Sequence, residues 1–224
     1  MKAFIAALAL TTICAAPAFA QSVRPIALQE FPAKSSARIT VTSPAFAEGG
    51  DIPFENTQYR GNTFPGLSWS AGPSGTKSYA VIMQDPDAQR NGQPILHWTI
   101  YNLPANVTKL DPGMAPSANP KGSSYGPNVR GEAQPYMGPR TPPGPKHHYH
   151  LQVFALDTVL TADPAMNYDG LTGAMLEGSA RPFNRSDGRN LPAVWTVASG
   201  IDRIGPTCSP PRPRVGREVA SVGN

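Results

Sequence analysis

The sequence predicts a single β-rich domain built from antiparallel strands. Proline accounts for 26 and glycine for 21 of the 224 residues, and proline disrupts helix interiors because it lacks an amide hydrogen. The prolines lie between apolar runs rather than in one tract, which favours turns over disorder. Several of these runs have the alternation, or the β-branched and aromatic composition, that is typical of strands.

Five segments are predicted as strands and one as a helix. Residues 37–42 alternate polar and apolar side chains, as a half-buried strand does. Residues 78–84 form an almost continuous apolar run, typical of a central strand covered on both faces. The remaining strand candidates are residues 97–103, 148–156 and 191–199. A helix is expected from Tyr168 to about Ala180, where apolar residues recur near helical spacing.

The N-terminal residues have the pattern of a secretory signal peptide. Lys2 precedes an apolar run that ends in Ala18-Phe19-Ala20, a small-x-small cleavage signal, and the run is shorter than a membrane span. Cleavage after Ala20 would place the protein in the periplasm or outside the cell, with no transmembrane segment left. The expected organisation is a signal peptide at 1–20, a loosely held N-terminal arm at 21–36, the domain at 37–204 and a flexible Pro/Arg-rich tail at 205–224.

Composition and charge exclude several classes of function. The formal net charge is +4 and the basic residues are dispersed, which argues against nucleic-acid binding. The two cysteines exclude a disulfide framework and a CxxC-type zinc site. The sequence contains neither a Gly-x-Ser-x-Gly nucleophile elbow nor a phosphate-binding loop. Enzyme activity and a resident cofactor are therefore not expected.

Charged and titratable side chains concentrate at three strand ends. Asp85-Pro86-Asp87 follows the apolar run 78–84, and the proline restricts the turn between the two carboxylates. His97 opens the next strand candidate, and the segment from His147 to His150 opens the longest one. If these strands are neighbours, the three groups form one polar pocket. Otherwise Asp-Pro-Asp is an ordinary turn and His97 an ordinary core residue.

Strand alternation divides the histidine cluster. His147 and Tyr149 lie on one face of the strand, and His148 and His150 lie on the other. The three imidazoles therefore cannot all enter one site. His148 and His150 share a face and are an alternative pair of ligands for zinc or copper, but no third ligand has a suitable spacing, so no metal site is assigned.

A longer series of motifs extends from residue 38 to about residue 160. It comprises Ser43-Pro44-Ala45-Phe46, Pro65-Gly66-Leu67-Ser68-Trp69, residues 77–88 with Asp-Pro-Asp, residues 97–104, Tyr136-Met137-Gly138-Pro139 and residues 147–157. In this order the motifs resemble the phosphatidylethanolamine-binding protein family, which includes the Raf kinase inhibitor proteins, and most closely its bacterial branch. One departure is the spacer Arg140-Thr141 between Gly138-Pro139 and Pro142-Pro143, where the family usually has a single residue.

The resemblance implies a mainly β fold with a central antiparallel sheet, a smaller second sheet and short C-terminal helices. It also implies an anion pocket for phosphate-bearing headgroups at one end of the main sheet. Carried over by motif, the ligand-binding residues would be Asp85, Asp87, His97, His147 and Tyr149, with Pro86, Gly138 and Pro139 in the wall. His148 and His150 are then expected to be packing or surface residues.

We therefore expect an exported, non-enzymatic binding protein, with no catalytic residue, for a small phosphorylated ligand or a phospholipid headgroup such as phosphoethanolamine. A nearby carboxylate is expected to raise the pKa values of His97 and His147, so that binding strengthens below neutral pH. Tyr149 can donate its hydroxyl to a phosphate oxygen, while Asp85 or Asp87 orients an imidazole or meets an ammonium group. The alternatives are inhibition of an extracytoplasmic hydrolase through protein contact, and acid–base catalysis.

Overall fold

The computed structural model describes residues 24–31, 38–115 and 117–178, together with the backbone of the strand at 195–200. The predicted signal peptide, the C-terminal tail and the predicted boundaries of the domain lie outside the described residues. These expectations stay predictions.

The described chain is mainly β, with two antiparallel sheets, as predicted. The larger sheet has the strand order β6-β4-β3-β7-β8 and the smaller one β1-β2-β5. The strands are β1 (Val41–Thr42), β2 (Leu67–Trp69), β3 (Ser78–Arg90), β4 (Gln93–Pro104), β5 (Lys109–Leu110), β6 (Ser124–Tyr125), β7 (His150–Leu156) and β8 (Trp195–Gly200). Two α-helices, α1 (Ala27–Glu30) and α2 (Tyr168–Gly178), and a 3₁₀ turn at Phe54–Asn56 accompany them. In the part of the chain that is described, neither α-helix has the length and apolar character needed to cross a membrane.

The β3–β4 hairpin forms the centre of the larger sheet. Asn91 and Gly92 connect the two strands with φ angles of 54° and 75°, the left-handed conformation that a tight hairpin turn of type I′ requires. Asn-Gly adopts this turn more readily than almost any other dipeptide. The turn places the predicted strands 78–84 and 97–103 side by side, with Met83 opposite Trp98.

The pairing of β3 with β7 brings distant motifs to one end of the sheet. Gln84 lies opposite His150 in this antiparallel register. Asp85 directly follows Gln84, and Tyr149 directly precedes His150. The Asp-Pro-Asp and histidine motifs therefore meet where β3 leaves the centre of the sheet, which confirms the adjacency that the pocket requires.

Each face of the larger sheet covers its own hydrophobic core. The first core lies against the smaller sheet and includes Trp69, Trp98 and Tyr136. The second core lies against the helices and includes Phe31, Phe154, Leu171 and Met175. Successive residues of β3 point alternately into the two cores, which explains why its sequence is an uninterrupted apolar run.

The N-terminal arm is more firmly attached than the sequence predicts. In its described part, residues 24–31, Ala27 and Phe31 are buried in the second core. The amides of Ala27 and Leu28 donate hydrogen bonds of 2.8 and 2.7 Å to the side chains of Gln84 and Gln152. No local periodicity reveals these contacts, because the partners lie 57 and 124 residues further along the chain.

The other predicted elements are present with shifted ends. β1 covers only the last part of the predicted strand 37–42, and β7 begins at His150 rather than His148. β3 and β4 are longer than expected, because their pairing continues past Asp85 as far as the hairpin turn. The helix predicted from Tyr168 is found as α2, and the strand predicted at 191–199 is found as β8.

Candidate functional site

The Asp-Pro-Asp motif forms a bulge within β3. Asp85 and Gln89 pair with consecutive residues of β4, so residues 86–88 have no partners in the ladder. Proline is tolerated in such a bulge because it has no amide hydrogen to leave unpaired. Oδ1 of Asp85 accepts hydrogen bonds from the amides of Asp87 and Ala88 at 2.9 and 3.1 Å. Asp85 thus stabilises the bulge that follows it.

The second oxygen of Asp85 binds His147. Oδ2 lies 2.8 Å from Nδ1 of the imidazole, and the side chains are 3% and 15% exposed. Because a carboxylate only accepts hydrogen bonds, Nδ1 carries the hydrogen and Nε2 remains as the nitrogen through which His147 can meet a ligand. Asp85 now has three hydrogen bonds, as a buried carboxylate requires. This bonding favours the role of orienting an imidazole over contact with a ligand ammonium group.

His97 is buried next to this pair. Its Nδ1 donates to the carbonyl of Met137 at 3.0 Å, and its ring packs edge-on against Tyr149 with the centroids 5.0 Å apart. Burial lowers the pKa of His97, and the Met137 carbonyl and the Asp85 carboxylate, which act in the opposite direction, do not offset it. The expectation that a neighbouring carboxylate raises this pKa is therefore wrong. His97 is neutral at neutral pH, and its Nε2 is a hydrogen-bond acceptor.

Tyr149 supplies a buried hydroxyl to the cluster. The hydroxyl lies 2.7 Å from Oγ1 of Thr141. Burial raises the pKa of Tyr149 well above its usual value; the Thr141 hydrogen bond opposes this effect and the negative charge of Asp85 adds to it. The phenol therefore keeps its hydrogen.

Gly138 and Pro139 lie where two segments approach closely. A Cβ on Gly138 would come within 2.3 Å of the Asn56 carbonyl oxygen, so a larger residue does not fit. The Gly138 carbonyl accepts the side-chain amide of Gln58 at 2.6 Å, and the Pro139 carbonyl accepts the backbone amide of Gln58 at 2.9 Å. These contacts hold the preceding residue, Met137, in place as the partner of His97.

Asp87 pairs with a different histidine. Its Oδ2 accepts the backbone amide and Nδ1 of His148, both at 2.6 Å, and the two side chains are 39% and 46% exposed. Burial on its own opposes the charged form of Asp87, but the hydrogen bonds from His148 outweigh it and lower the pKa of the carboxyl. Asp87 is thus the exposed rim of the bulge, and the half-buried Pro86 lies between it and Asp85.

The second face of the histidine motif differs from the first. Nδ1 of His148 is engaged by Asp87, while His150 is half-buried on β7, opposite Gln84. Burial and the neighbouring His148 lower the pKa of His150. Among the described residues, no group of three His, Cys, Asp or Glu side chains is arranged to hold a metal ion.

Four of the predicted ligand-binding residues therefore form one cluster: Asp85, His97, His147 and Tyr149. Sequence reasoning missed two supporting residues, Met137 and Thr141. Thr141 belongs to the spacer that is one residue longer than usual, so this irregular length was the available signal. Met137 acts through its backbone carbonyl, a role that no side-chain pattern indicates.

Comparison with known proteins identifies the family. Residues 42–181 match the family model described as phosphatidylethanolamine-binding protein. The chain belongs to the phosphatidylethanolamine-binding protein family. The match covers more than half of the chain and includes every predicted ligand-binding and wall residue. The resemblance seen in the motifs is thereby confirmed.

Relatives in this family come from bacteria and archaea. YbcL of Escherichia coli K12 is 42% identical over 123 residues, which are 53% of this chain and 66% of YbcL. A protein of Methanothermobacter thermautotrophicus is 37% identical over 132 residues, 58% of this chain and 85% of its own length. LppC of Mycobacterium tuberculosis H37Rv, whose name describes it as a lipoprotein, is 34% identical over 137 residues, 59% of this chain and 63% of LppC. The chain thus spans about two thirds of two of these relatives.

The fold is shared with solved structures of the family. The crystal structure of E. coli YbcL superposes with a TM-score of 0.59 at 30% identity, covering 74% of this chain and 99% of YbcL. A phosphatidylethanolamine-binding protein homolog of Chlamydia trachomatis superposes with a TM-score of 0.57 at 29% identity. These similarities confirm the predicted architecture of two antiparallel sheets with few helices.

Proposed function

We propose that this family member binds small phosphorylated ligands, such as a phosphoethanolamine headgroup, at the cluster of Asp85, His97, His147 and Tyr149. The contact of 2.8 Å between Asp85 and His147 carries the proposal. It fixes one ring nitrogen of a partly accessible imidazole beside a buried histidine and a buried tyrosine. The role proposed is binding rather than catalysis, since Asp85 is already engaged as an acceptor by three donors and is not a free base.

The chemistry of the cluster suits a phosphate monoester. Tyr149 has a hydroxyl hydrogen for a phosphate oxygen, and Nε2 of His147 adds a charged donor when that ring is protonated. Neutral His97 accepts a hydrogen, which suits a singly protonated phosphate or an ammonium group. The hydrogen bonds to Asp85 also reduce the repulsion between this carboxylate and a bound anion, because its charge is shared with its donors.

Binding is expected to strengthen as the pH falls. An anion binds the protonated form of His97 more tightly than the neutral form, and burial lowers the pKa of this histidine. The charge therefore appears at a pH below the ordinary histidine value of about 6.5. Affinity should be weak at neutral pH and should rise as the pH falls through the lowered pKa.

Isothermal titration calorimetry between about pH 5 and pH 7.5 tests the proposal with O-phosphoethanolamine, inorganic phosphate and sulfate. Sulfate keeps its charge over this range, so a change in its affinity reports on the protein alone. His147→Gln should weaken binding about tenfold through loss of a charge-assisted hydrogen bond. His97→Gln should flatten the pH dependence. His148→Gln is the matched control and should bind like the unaltered protein.

Two results would contradict the proposal. One is an affinity that neither His147→Gln nor His97→Gln changes. The other is a loss of affinity in His148→Gln equal to that in His147→Gln, which would assign the effect to general disruption of the histidine motif. A preference for O-phosphoethanolamine over inorganic phosphate would indicate the headgroup, whereas equal affinities would indicate a general phosphate site.

We also propose that the protein is exported. The support is the signal-peptide pattern of residues 1–20 and the lipoprotein name of the relative LppC. When the full chain is expressed in a bacterium, mass spectrometry of the extracytoplasmic fraction should find a protein that begins at Gln21. An uncleaved chain retained in the cytosol would contradict export.

A further inference from the structure

A cleft separate from the proposed phosphate site lies at the tip of the β3–β4 hairpin. It has a volume of about 470 Å³ and is bounded by the hairpin, by residues 127–132 and by the start of α2. This volume lies in the range of small-molecule sites in proteins. Asp85, His97, His147 and Tyr149 do not contribute to its described lining.

Two guanidinium groups border the cleft. Nη1 of Arg90 donates to the carbonyl of Val129 at 3.2 Å, and Nη2 of Arg130 donates to Oε1 of Gln58. Both acceptors are neutral. Among the described residues, neither arginine forms an ion pair with a carboxylate. The positive charge of both side chains is therefore uncompensated by a direct partner at the mouth of this cleft.

The interior of the cleft is partly apolar. Pro94, Leu96 and Pro127 contribute buried apolar surface. The ring of Tyr168 is held from one side by the Arg24 guanidinium, 4.9 Å from its centroid, and its hydroxyl accepts a hydrogen bond from Gln84 at 3.1 Å. An apolar interior with positive charge at its border suits a flat apolar molecule that carries an anionic group.

We propose that this cleft is a second ligand site, which binds a small aromatic or aliphatic molecule bearing a phosphate or a carboxylate. Arg90 and Arg130 bind the anionic group, and the apolar interior next to Tyr168 accepts the body of the molecule. Glu132 is the one carboxylate in the described lining. Its negative charge opposes an anion, so its removal should strengthen binding while removal of either arginine weakens it.

The experiment titrates phenyl phosphate and, separately, benzoate into the full-length protein. Binding is measured by calorimetry and by the changes in backbone amide chemical shifts. Phenyl phosphate or benzoate should shift the amide signals of residues 90–93, of Ile95 and Leu96, and of residues 128–132. Arg90→Gln and Arg130→Gln should each weaken binding about tenfold, and Glu132→Gln should strengthen it about threefold. Lys109→Gln, at an exposed ion pair in the smaller sheet, is the matched control with unchanged affinity.

The outcomes separate this site from the proposed phosphate site. Binding that persists in His147→Gln and fails in Arg90→Gln supports the second site. Binding that is lost in His147→Gln but unchanged in Arg90→Gln, or that is absent for both probes, overturns it. Arg90→Lys retains the positive charge and should bind the probes more tightly than Arg90→Gln. If Arg90→Lys loses as much affinity as Arg90→Gln, the loss indicates misfolding. Benzoate and phenyl phosphate together distinguish a carboxylate site from a phosphate site.

Discussion

Gln84 and Asp85 are neighbours on β3 and are almost equally buried, with 1% and 2% of their surface exposed, but their side chains point to opposite faces of the sheet. Gln84 accepts hydrogen bonds from the amide of Ala27 at 2.8 Å and from Gln152 at 3.0 Å, and donates to Tyr168 at 3.1 Å. These partners fasten the N-terminal arm and α2 to the sheet.

Asp85 has a different set of partners on the other face. It accepts hydrogen bonds from two backbone amides of the bulge and from His147. Its buried negative charge requires these donors, because an unpaired charge in a protein interior is very unfavourable. The hydrogen bonds of Gln84 therefore join uncharged groups, whereas Asp85 uses its negative charge to hold the bulge and an imidazole, which a ligand or a change of pH can alter.

The largest effect is expected on the Gln84 face. Gln84→Leu removes the side chain that accepts from the Ala27 and Gln152 amides and donates to the Tyr168 hydroxyl, and should lower the free energy of unfolding by about 3 kcal/mol. Urea denaturation followed by circular dichroism measures it. Gln89→Leu, on the exposed end of the same strand, should change stability by less than about 0.5 kcal/mol. Equal effects in the two variants would mean that the amide network does not hold the arm.

A smaller effect is expected on the Asp85 face. Asp85→Asn keeps the acceptor for the bulge amides but loses the charged partner of His147, and should lower the free energy of unfolding by about 1–2 kcal/mol. Asp87→Asn removes the same type of contact from a side chain that is 39% exposed, so its cost should stay below about 1 kcal/mol. The two variants are compared by their urea midpoints of unfolding at neutral pH. A larger loss in Asp87→Asn would reverse the assignment of Asp85 as the residue that organises the site.

The smallest effect is the pH dependence of stability that comes from His97. A histidine whose pKa is lowered in the folded state contributes stability that is present above the unfolded value of about 6.5 and is lost as the pH falls through the folded pKa. Burial lowers the pKa values of His97 and His150. The urea concentration at the midpoint of unfolding should therefore decrease as the pH is lowered from about 7 to about 5. This decrease should be smaller in His97→Gln and in His150→Gln. A variant with an unchanged slope would contradict the burial of that imidazole.

Much of the fold follows from local patterns in the sequence. The apolar runs predicted the long strands, and the ordered motifs predicted the family that the comparison confirms. The cluster was predicted from three motifs, of which the structure brings Asp85, His97, His147 and Tyr149 together. The sequence could not predict that Asp87 pairs with His148. This pairing depends on how far the bulge displaces the Asp87 carboxylate from the sheet.

Two expectations about the chain differ from the structure because burial is a tertiary property. A carboxylate near His97 suggested a raised pKa, but the ring is enclosed by Tyr149 and Met137, and burial has the larger effect. The arm appeared loosely held, but its backbone amides find Gln84 and Gln152 inside the second core. In both cases the deciding partner is remote in sequence.

The sequence by itself determined the β-rich class and the identity of the titratable residues, because alternation and side-chain chemistry are local properties. The tertiary structure alone decided which carboxylate pairs with which histidine and which imidazole stays neutral. Those outcomes depend on the register between β3 and β7 and on the enclosure of His97 by Met137 and Tyr149. They are set by contacts between segments that lie tens of residues apart.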